Sequence, residues 1–163
     1  MPGPGQYLPD STIGITRPKD LPPAKIVLRS QNHKTRPCPR CGQSSVRHGL
    51  ATRILHDLGD TVVGRPREIH LQYSRHRCRY CPTIFNADLS DYAIPKSHDT
   101  HRVVSMAVRL VVEDGMPYQT ASWHLWRDHR VFVPFATIQN WVEAGGKKGI
   151  STSVHSLSRL DTR

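Results

Sequence analysis

The chain has 163 residues, of which only 37% are hydrophobic and 7% aromatic, so two small modules fit its composition better than one large core. Lys and Arg outnumber Asp and Glu by 23 to 13, giving a formal net charge of +10, and its histidines add charge below neutral pH. This surplus favours a polyanionic partner, nucleic acid before membrane, since no apolar run is long enough to cross a bilayer. A basic surface with no such partner is the plain alternative.

Residues 1–36 are predicted to form a flexible, proline-rich arm. Prolines recur along this stretch and interrupt regular elements, and one short strand is expected at Lys25–Arg29. The first residues, Met1–Gly5, lack the charged start and apolar run of a signal peptide. A reduced, cytoplasmic setting is therefore expected.

All four cysteines lie in two Cys-x-x-Cys pairs, Cys38 with Cys41 and Cys78 with Cys81. Four thiolates can occupy the tetrahedron that Zn²⁺ accepts from sulfur, and such a site contributes folding free energy directly. Paired cysteines in a reduced compartment favour metal binding, so we predict one structural Zn²⁺ ion held by all four. A four-cysteine iron–sulfur cluster, disulfides and free thiols are the alternatives. A redox role would need only one pair and an alternation of strands and helices that is not evident.

Residues 37–95 are predicted to form a zinc ribbon, a small antiparallel sheet that carries these cysteines. Gly42 follows the second cysteine and permits the tight turn of a zinc knuckle. Short strands are expected at about Val46–His48 and Thr52–Leu55. From Arg67 to Arg75 apolar and polar residues alternate, which is typical of a half-buried antiparallel strand.

Basic residues crowd around the second cysteine pair, where Arg75, Arg77 and Arg79 alternate with other residues. Cations beside a thiolate cluster stabilise its negative charge, and the same guanidinium groups could contact phosphate. Because the two roles are compatible, all three arginines are candidate DNA contacts. His76 is not expected to bind the metal, since four sulfurs close the site.

Beyond residue 95 the apolar spacing becomes helical. Three helices are expected within residues 99–148, at His101–Asp114, from Tyr118 to about Asp128 and from about Phe135 to Ala144. Thr100 can cap the first helix, and Gly115 can end it. Gly145 and Gly146 are expected to end the third. The apolar stripes predicted for the three helices are Val103, Ala107, Leu110 and Val111; Tyr118, Ala121 and Leu125; and Ile138, Trp141 and Val142.

This layout predicts a helix-turn-helix, in which the third helix enters the major groove of DNA. Its outward side chains include Thr137, Gln139, Asn140 and Glu143. Gln and Asn can bond an adenine edge, Thr can touch a thymine methyl and Glu can accept from cytosine. Lys147 and Lys148 follow this helix where a phosphate would lie, and Arg130 is a further candidate DNA contact. A plain three-helix bundle with a polar outer face is the alternative.

Together these segments resemble the N-terminal half of bacterial insertion-sequence transposases. The segments that carry the resemblance are Cys38-Pro-Arg-Cys41-Gly42, Ile54–Leu58, Tyr73–Cys78 and Thr137–Ala144. The resemblance covers about residues 37–148 and lies in the order of the modules more than in any single motif. It implies recognition of the terminal inverted repeats of a mobile element on the bacterial nucleoid. Pro134 departs from the family, whose helices commonly begin with a serine cap.

The resembling transposases carry a DDE catalytic domain after these modules, and no such domain is expected here. Three carboxylates on an RNase H-like sheet would have to hold two metal ions, which takes more chain than the tail at residues 149–163. The expected fold class is therefore α+β, with a zinc ribbon and a helix-turn-helix, and the expected partner is double-stranded DNA. A second copy of the chain on DNA is the other partner considered, although no heptad or symmetric patch indicates it. A stand-alone transcriptional regulator and a ribbon scaffold that binds protein or RNA are the alternatives.

Overall fold

The computed structural model describes the backbone of residues 9–10, 14–15 and 18–158 and the side chains of residues 19–146. The strands and helices within these residues are β1 (Pro9–Asp10), β2 (Gly14–Ile15), β3 (Lys25–Gln31), β4 (Ser45–Asp60), β5 (Arg65–Cys78), β6 (Ile84–Asn86), α1 (His101–Val112), α2 (Tyr118–His129) and α3 (Phe135–Ser158). The fold is α+β: a four-stranded sheet precedes three helices. None of the described helices is both long and apolar enough to span a membrane.

The sheet has the order β3-β5-β4, with β6 also pairing with β5. β4 and β6 run antiparallel to β5, but β3 runs parallel to it. The sheet is therefore mixed, and the prediction of an antiparallel sheet was wrong in this respect. β3 leads into the first cysteine pair and β5 into the second, so both strands must run toward the same end.

The strand predicted at Lys25–Arg29 is present and extends to Gln31. It pairs with β5 in a register that places Val27 opposite Ile69, so this part of the predicted arm belongs to the sheet. The link that follows is also fastened to the sheet. Ser74 Oγ accepts the His33 N–H at 3.1 Å, and Ser45 Oγ donates to the Arg36 carbonyl at 2.6 Å.

The two short strands predicted at Val46–His48 and Thr52–Leu55 are one strand, β4, of 16 residues. The pairing with β5 shifts register between Arg47 and Gly49. A bulge of this kind bends a strand without removing it from the sheet, which is why the sequence pattern is interrupted there while the strand continues.

The helices follow the predicted positions, with one exception. α1 and α2 are confirmed to within two residues, and Gly115 adopts the left-handed φ of +69° that follows α1. The prediction that Gly145 and Gly146 end the third helix was wrong, because α3 continues to Ser158. A glycine inside a helix costs only about 1 kcal/mol, and it ends a helix when it takes a left-handed conformation. Neither of these glycines has a positive φ.

The predicted apolar stripes supply most of the core of the helical module, together with two valines of the α2–α3 turn. Its buried members are Val103, Ala107, Leu110, Ala121, Leu125, Val131, Val133 and Ile138. The other predicted stripe residues are only partly buried: Val111, Tyr118, Trp141 and Val142. A smaller cluster of Leu55, Leu71 and Ala93 lies on the sheet. Leu58, at the end of β4, packs against the helical cluster. The sheet and the helices therefore meet in a shared apolar contact.

Polar contacts fasten the same junction. The His56 N–H donates to the His98 carbonyl at 2.8 Å, and the Thr100 N–H donates to the His56 carbonyl at 3.0 Å. Asp57 is buried, with 3% of its surface exposed, and accepts a hydrogen bond of 2.8 Å from the Thr100 hydroxyl. Thr100 occupies the predicted cap position of α1, but its hydroxyl serves Asp57 and makes no cap hydrogen bond.

Candidate metal centre and nucleic-acid interface

The four cysteines meet at the end of the sheet toward which β3 and β5 run. Their sulfur atoms all lie within 4.8 Å of one another, and all four are free thiols. Cys38 Sγ is 3.6 Å from Cys81 Sγ, and Cys41 Sγ is 3.4 Å from Cys78 Sγ. The two predicted pairs therefore form one four-sulfur cluster, which is a candidate metal site.

The backbone of both pairs is folded around a sulfur atom. The Arg40 N–H donates to Cys38 Sγ at 3.4 Å, and the Tyr80 N–H donates to Cys78 Sγ at 3.4 Å. Gly42 has a φ of +73°, as the predicted turn requires. Backbone N–H donors stabilise negative charge on sulfur, so this local structure suits thiolates.

The sulfurs differ in how readily they ionise. The hydroxyl and the backbone N–H of Thr83 lower the pKa of Cys81 to about 6. For Cys41, the Gln43 N–H lowers the pKa, but the contact with Cys78, burial and the other two sulfurs together raise it to about 12. Four thiolates at this separation repel one another, so a cation is needed for all four to ionise together.

His76 precedes Cys78 by two residues, and its side chain contacts Ser74 and Phe85. Its side chain is fully buried, its Nε2 is 2.7 Å from Ser74 Oγ, and its ring stacks on Phe85 with centroids 5.4 Å apart. Burial lowers the pKa of His76, and the charges of Arg36, His33 and Arg47 add to that effect. This imidazole therefore acts as a packing residue of the sheet.

Arg75, Arg77 and Arg79 are exposed and alternate along the chain with buried Ser74, His76 and Cys78. For Arg75 and Arg77 this alternation follows from the two-residue period of β5, which directs successive side chains to opposite faces. Arg79 follows the end of β5 at Cys78 and is exposed between the two cysteines of the second pair.

Helix α3 presents the predicted polar face over its first three turns. Asn140 and Glu143 are exposed, Thr137 and Gln139 are half-buried, and Ile138 faces the core. Gln139 Nε2 donates to Glu143 Oε1 at 3.0 Å, so these two candidate base contacts are hydrogen-bonded to each other when no DNA is bound. Pro134, without a side-chain cap, still begins the helix: its carbonyl accepts the N–H groups of Thr137 and Ile138.

Thr137 differs from its neighbours because it also lines a cleft of about 460 Å³. The other wall of the cleft is the segment before α1, and it includes Lys96 and His98. Lys96 has a left-handed φ of +63°, which is uncommon for a residue with a side chain.

The remaining predicted DNA contacts lie at the end of α2 and in α3. Arg130 follows α2 with a left-handed φ of +52°, and its guanidinium lies 5.9 Å from the centroid of the Trp126 ring. It also lies close to Gly64, so it packs between α2 and the β4–β5 turn. Lys147 and Lys148 belong to α3, but their side chains lie outside the described residues.

A second group of cations was missed by the sequence analysis. Lys25, Arg65 and Arg67 line a depression of about 370 Å³ at the end of the sheet away from the cysteines. Lys25 is the register partner of Arg67 although forty-one residues separate them along the chain. Only the parallel pairing of β3 brings them together, so spacing in the sequence carried no signal for this group.

No family model, curated protein or solved structure matches this chain. The features of the chain that bear on its function are the cysteine cluster, the basic surfaces and α3.

Proposed function

We propose that this chain binds double-stranded DNA in a sequence-specific manner, with one structural Zn²⁺ ion in the ribbon and α3 in the major groove. The observation that carries the proposal is the polar face of α3, where Asn140 and Glu143 are exposed and Gln139 is half-buried, on a helix whose opposite face carries buried Ile138. A helix of this kind that follows a second helix after a short turn is the reading element of helix-turn-helix proteins.

The cysteine cluster supports zinc as the metal. Four sulfur atoms within 4.8 Å, with backbone N–H donors on Cys38 and Cys78, match the donor set of structural zinc sites. Bound Zn²⁺ would neutralise the repulsion between the thiolates and hold the ends of β3, β4 and β5 together. An iron–sulfur cluster uses the same four ligands, and metal analysis distinguishes the two.

The charge of the chain supports a nucleic-acid partner. The net charge is +10, and the arginine row at Arg75, Arg77 and Arg79 is exposed. Guanidinium groups at this surface would contact phosphate and make affinity depend on salt. The base-reading face of α3 and this row are parts of one packed body, since Leu58 and Asp57 join the sheet to the helices.

Within this function, the resemblance to insertion-sequence transposases favours the terminal inverted repeats of a mobile element as the target. The chain would then act in DNA recognition on the nucleoid, with catalysis supplied by another domain or protein. A stand-alone transcriptional regulator would use the same surfaces on a different target.

The test is a salt-titrated binding measurement with zinc-loaded protein. A random-sequence duplex library is first selected with the protein, and the selected duplex is then compared with scrambled duplex and with both single strands. We expect tight, selective binding of the selected duplex and a linear fall of log affinity with log salt concentration. Binding that ignores sequence, or that prefers single strands, would overturn the proposal. A selected sequence that matches the terminal repeats of a mobile element would favour the transposase reading over the regulator.

A further inference from the structure

The β4–β5 hairpin ends in an exposed apolar tip with a fixed conformation. The side chain of Val62 is 92% exposed and that of Val63 is 57% exposed. The Asp60 carboxylate accepts the N–H groups of both valines, at 2.8 and 3.1 Å, and Gly64 closes the turn with a φ of +72°. Two adjacent apolar side chains on a turn of defined conformation offer a small contact surface.

Cations surround the base of this tip. Lys25, Arg65 and Arg67 line the depression of about 370 Å³ together with one carboxylate, Asp60. Among the residues whose side chains are described, Lys25 and Arg65 form no ion pair within 4 Å, and Arg67 reaches Asp57 only at 3.9 Å. The backbone N–H groups of the two valines lower the pKa of Asp60, and the charges of Arg67 and Arg65 add to that effect. Three cations against one carboxylate give the depression a net positive charge, which suits an anion.

The tip is held against the turn that leads into α3. Gly59, at its base, lies so close to α2 that an added Cβ would be 2.5 Å from the His129 carbonyl oxygen. Gly64 lies beside the Arg130 side chain. Since Arg130 and Phe135 are five residues apart, the chain between them spans at most about 17 Å. One turn of duplex DNA is about 34–36 Å, so the tip lies within about half a turn of the groove that α3 would enter.

We infer that the hairpin tip, residues 59–65 with Lys25, is a second DNA contact that grips the phosphate strand flanking the α3 groove. Lys25 and Arg65 bind phosphate oxygens, and the two valines pack against the sugar edges of the same strand. The inference rests on the proposed function and extends it, because it assigns the flank of the site to a surface remote from the zinc ligands. Duplex DNA is favoured over other anions because the tip is fixed beside α3.

The test compares two double variants that remove equal charge. Lys25→Gln with Arg65→Gln alters the tip, and Arg29→Gln with Arg109→Gln removes two exposed cations elsewhere. On the selected duplex, we expect the tip variant to reduce the salt slope by about two and to lose hydroxyl-radical protection at one flank. The control pair should retain the complete footprint and a steeper slope. Equal slopes and footprints for the two variants would overturn the inference.

A second pair of variants covers the case in which the charge variant is misfolded. Val62→Glu places an anion on the exposed tip, and Val112→Glu places one at an exposed position on α1. We expect only Val62→Glu to weaken binding and to lose the same flank of the footprint. If wild-type protein binds duplex but Val62→Glu retains that flank, the tip contact alone is wrong. If wild-type protein binds no duplex, the proposed function and the tip contact both fail.

Discussion

The hydroxyl of Thr100 donates a hydrogen bond of 2.8 Å to Asp57 Oδ1, and this contact joins the residue before α1 to the end of β4. Arg102 reaches the other oxygen of the same carboxylate at 3.2 Å. Because Asp57 is buried, these partners rather than water stabilise its negative charge. The orientation of the helices relative to the sheet is therefore determined partly by one carboxylate.

Replacement of Asp57 by Asn should destabilise the protein. An amide cannot supply the charge that Arg102 and Thr100 contact, and the loss of hydrogen bonds to a charged group costs about 1.5–3 kcal/mol. Urea denaturation measures the change in the free energy of unfolding. Asp114→Asn, at an exposed position, is the matched control and should change it by less than about 0.5 kcal/mol. Equal effects of the two substitutions would contradict a structural role for Asp57.

Gly59→Ala should also destabilise the junction. The added Cβ would lie 2.5 Å from the carbonyl oxygens of both Arg65 and His129, so one backbone segment must move. Overpacking of this kind typically costs about 1–3 kcal/mol. Gly49→Ala is the control, because its Cβ meets no atom within 4 Å. The Gly59→Ala variant should therefore melt at a lower temperature than Gly49→Ala. Equal melting temperatures would mean that the backbone near Gly59 moves to admit the Cβ without loss of stability.

Cys78→Ser should release the metal and unfold the ribbon. A serine hydroxyl is a poor zinc ligand at neutral pH, and metal binding contributes folding free energy directly. Elemental analysis should find about one zinc per wild-type chain and a large loss in the variant, together with a lower melting temperature. Ser44→Ala, an exposed change near the first cysteine pair, should keep the metal. Wild-type metal content and melting in the Cys78 variant would refute the site.

The double variant Gln139→Ala with Asn140→Ala should reduce sequence preference and leave the salt slope almost unchanged. Each bidentate contact to a base contributes about 1–3 kcal/mol of discrimination, whereas the salt slope counts phosphate contacts. Gln139 is also bonded to Glu143, so Glu143→Ala tests whether that contact orients the amide. Gln119→Ala, exposed on α2, is the control for amide removal. An equal loss of affinity on selected and scrambled duplexes would place these residues against the DNA backbone.

His129 should make stability depend on pH. Burial lowers the pKa of His129, the charges of His124 and Arg102 add to this effect, and Asp128 opposes it. Because the unfolded chain then binds a proton more readily, stability is lost as pH falls from the ordinary histidine pKa of about 6.5 toward the lower folded value. Above that window the group has no effect.

We expect His129→Gln to lose less stability than wild type when urea denaturation is repeated at pH 7.5 and at pH 5.5. His48→Gln, at an exposed position, should behave like wild type. Loss of a bound metal in acid lowers the stability of all three proteins equally, so this contribution cancels when each variant is compared with wild type. Parallel pH dependence in wild type and His129→Gln would show that another group is responsible.

Much of the local structure could be predicted from the sequence. The two Cys-x-x-Cys pairs come together as one cluster, and the apolar stripe that includes Val103 and Leu110 is buried in α1. Alternation from Arg67 to Arg75 indicated the strand that became β5. These predictions succeeded because ligand spacing and side-chain period are properties of short segments.

Only the tertiary structure decided which distant segments meet. The parallel pairing of β3 with β5 brings Lys25 beside Arg67. Packing of the β4–β5 hairpin against the end of α2 and the start of α1 gives Gly59 and Asp57 their roles. α3 continues past Gly145 because a glycine there keeps a helical conformation. The sequence by itself determined the cysteine cluster, the identity of the helices and their buried faces. Shared metal-ligand chemistry predicts that distant cysteines meet, but the other long-range contacts depend on how complete elements pack. The junction and the basic hairpin tip could therefore be recognised only in the folded chain.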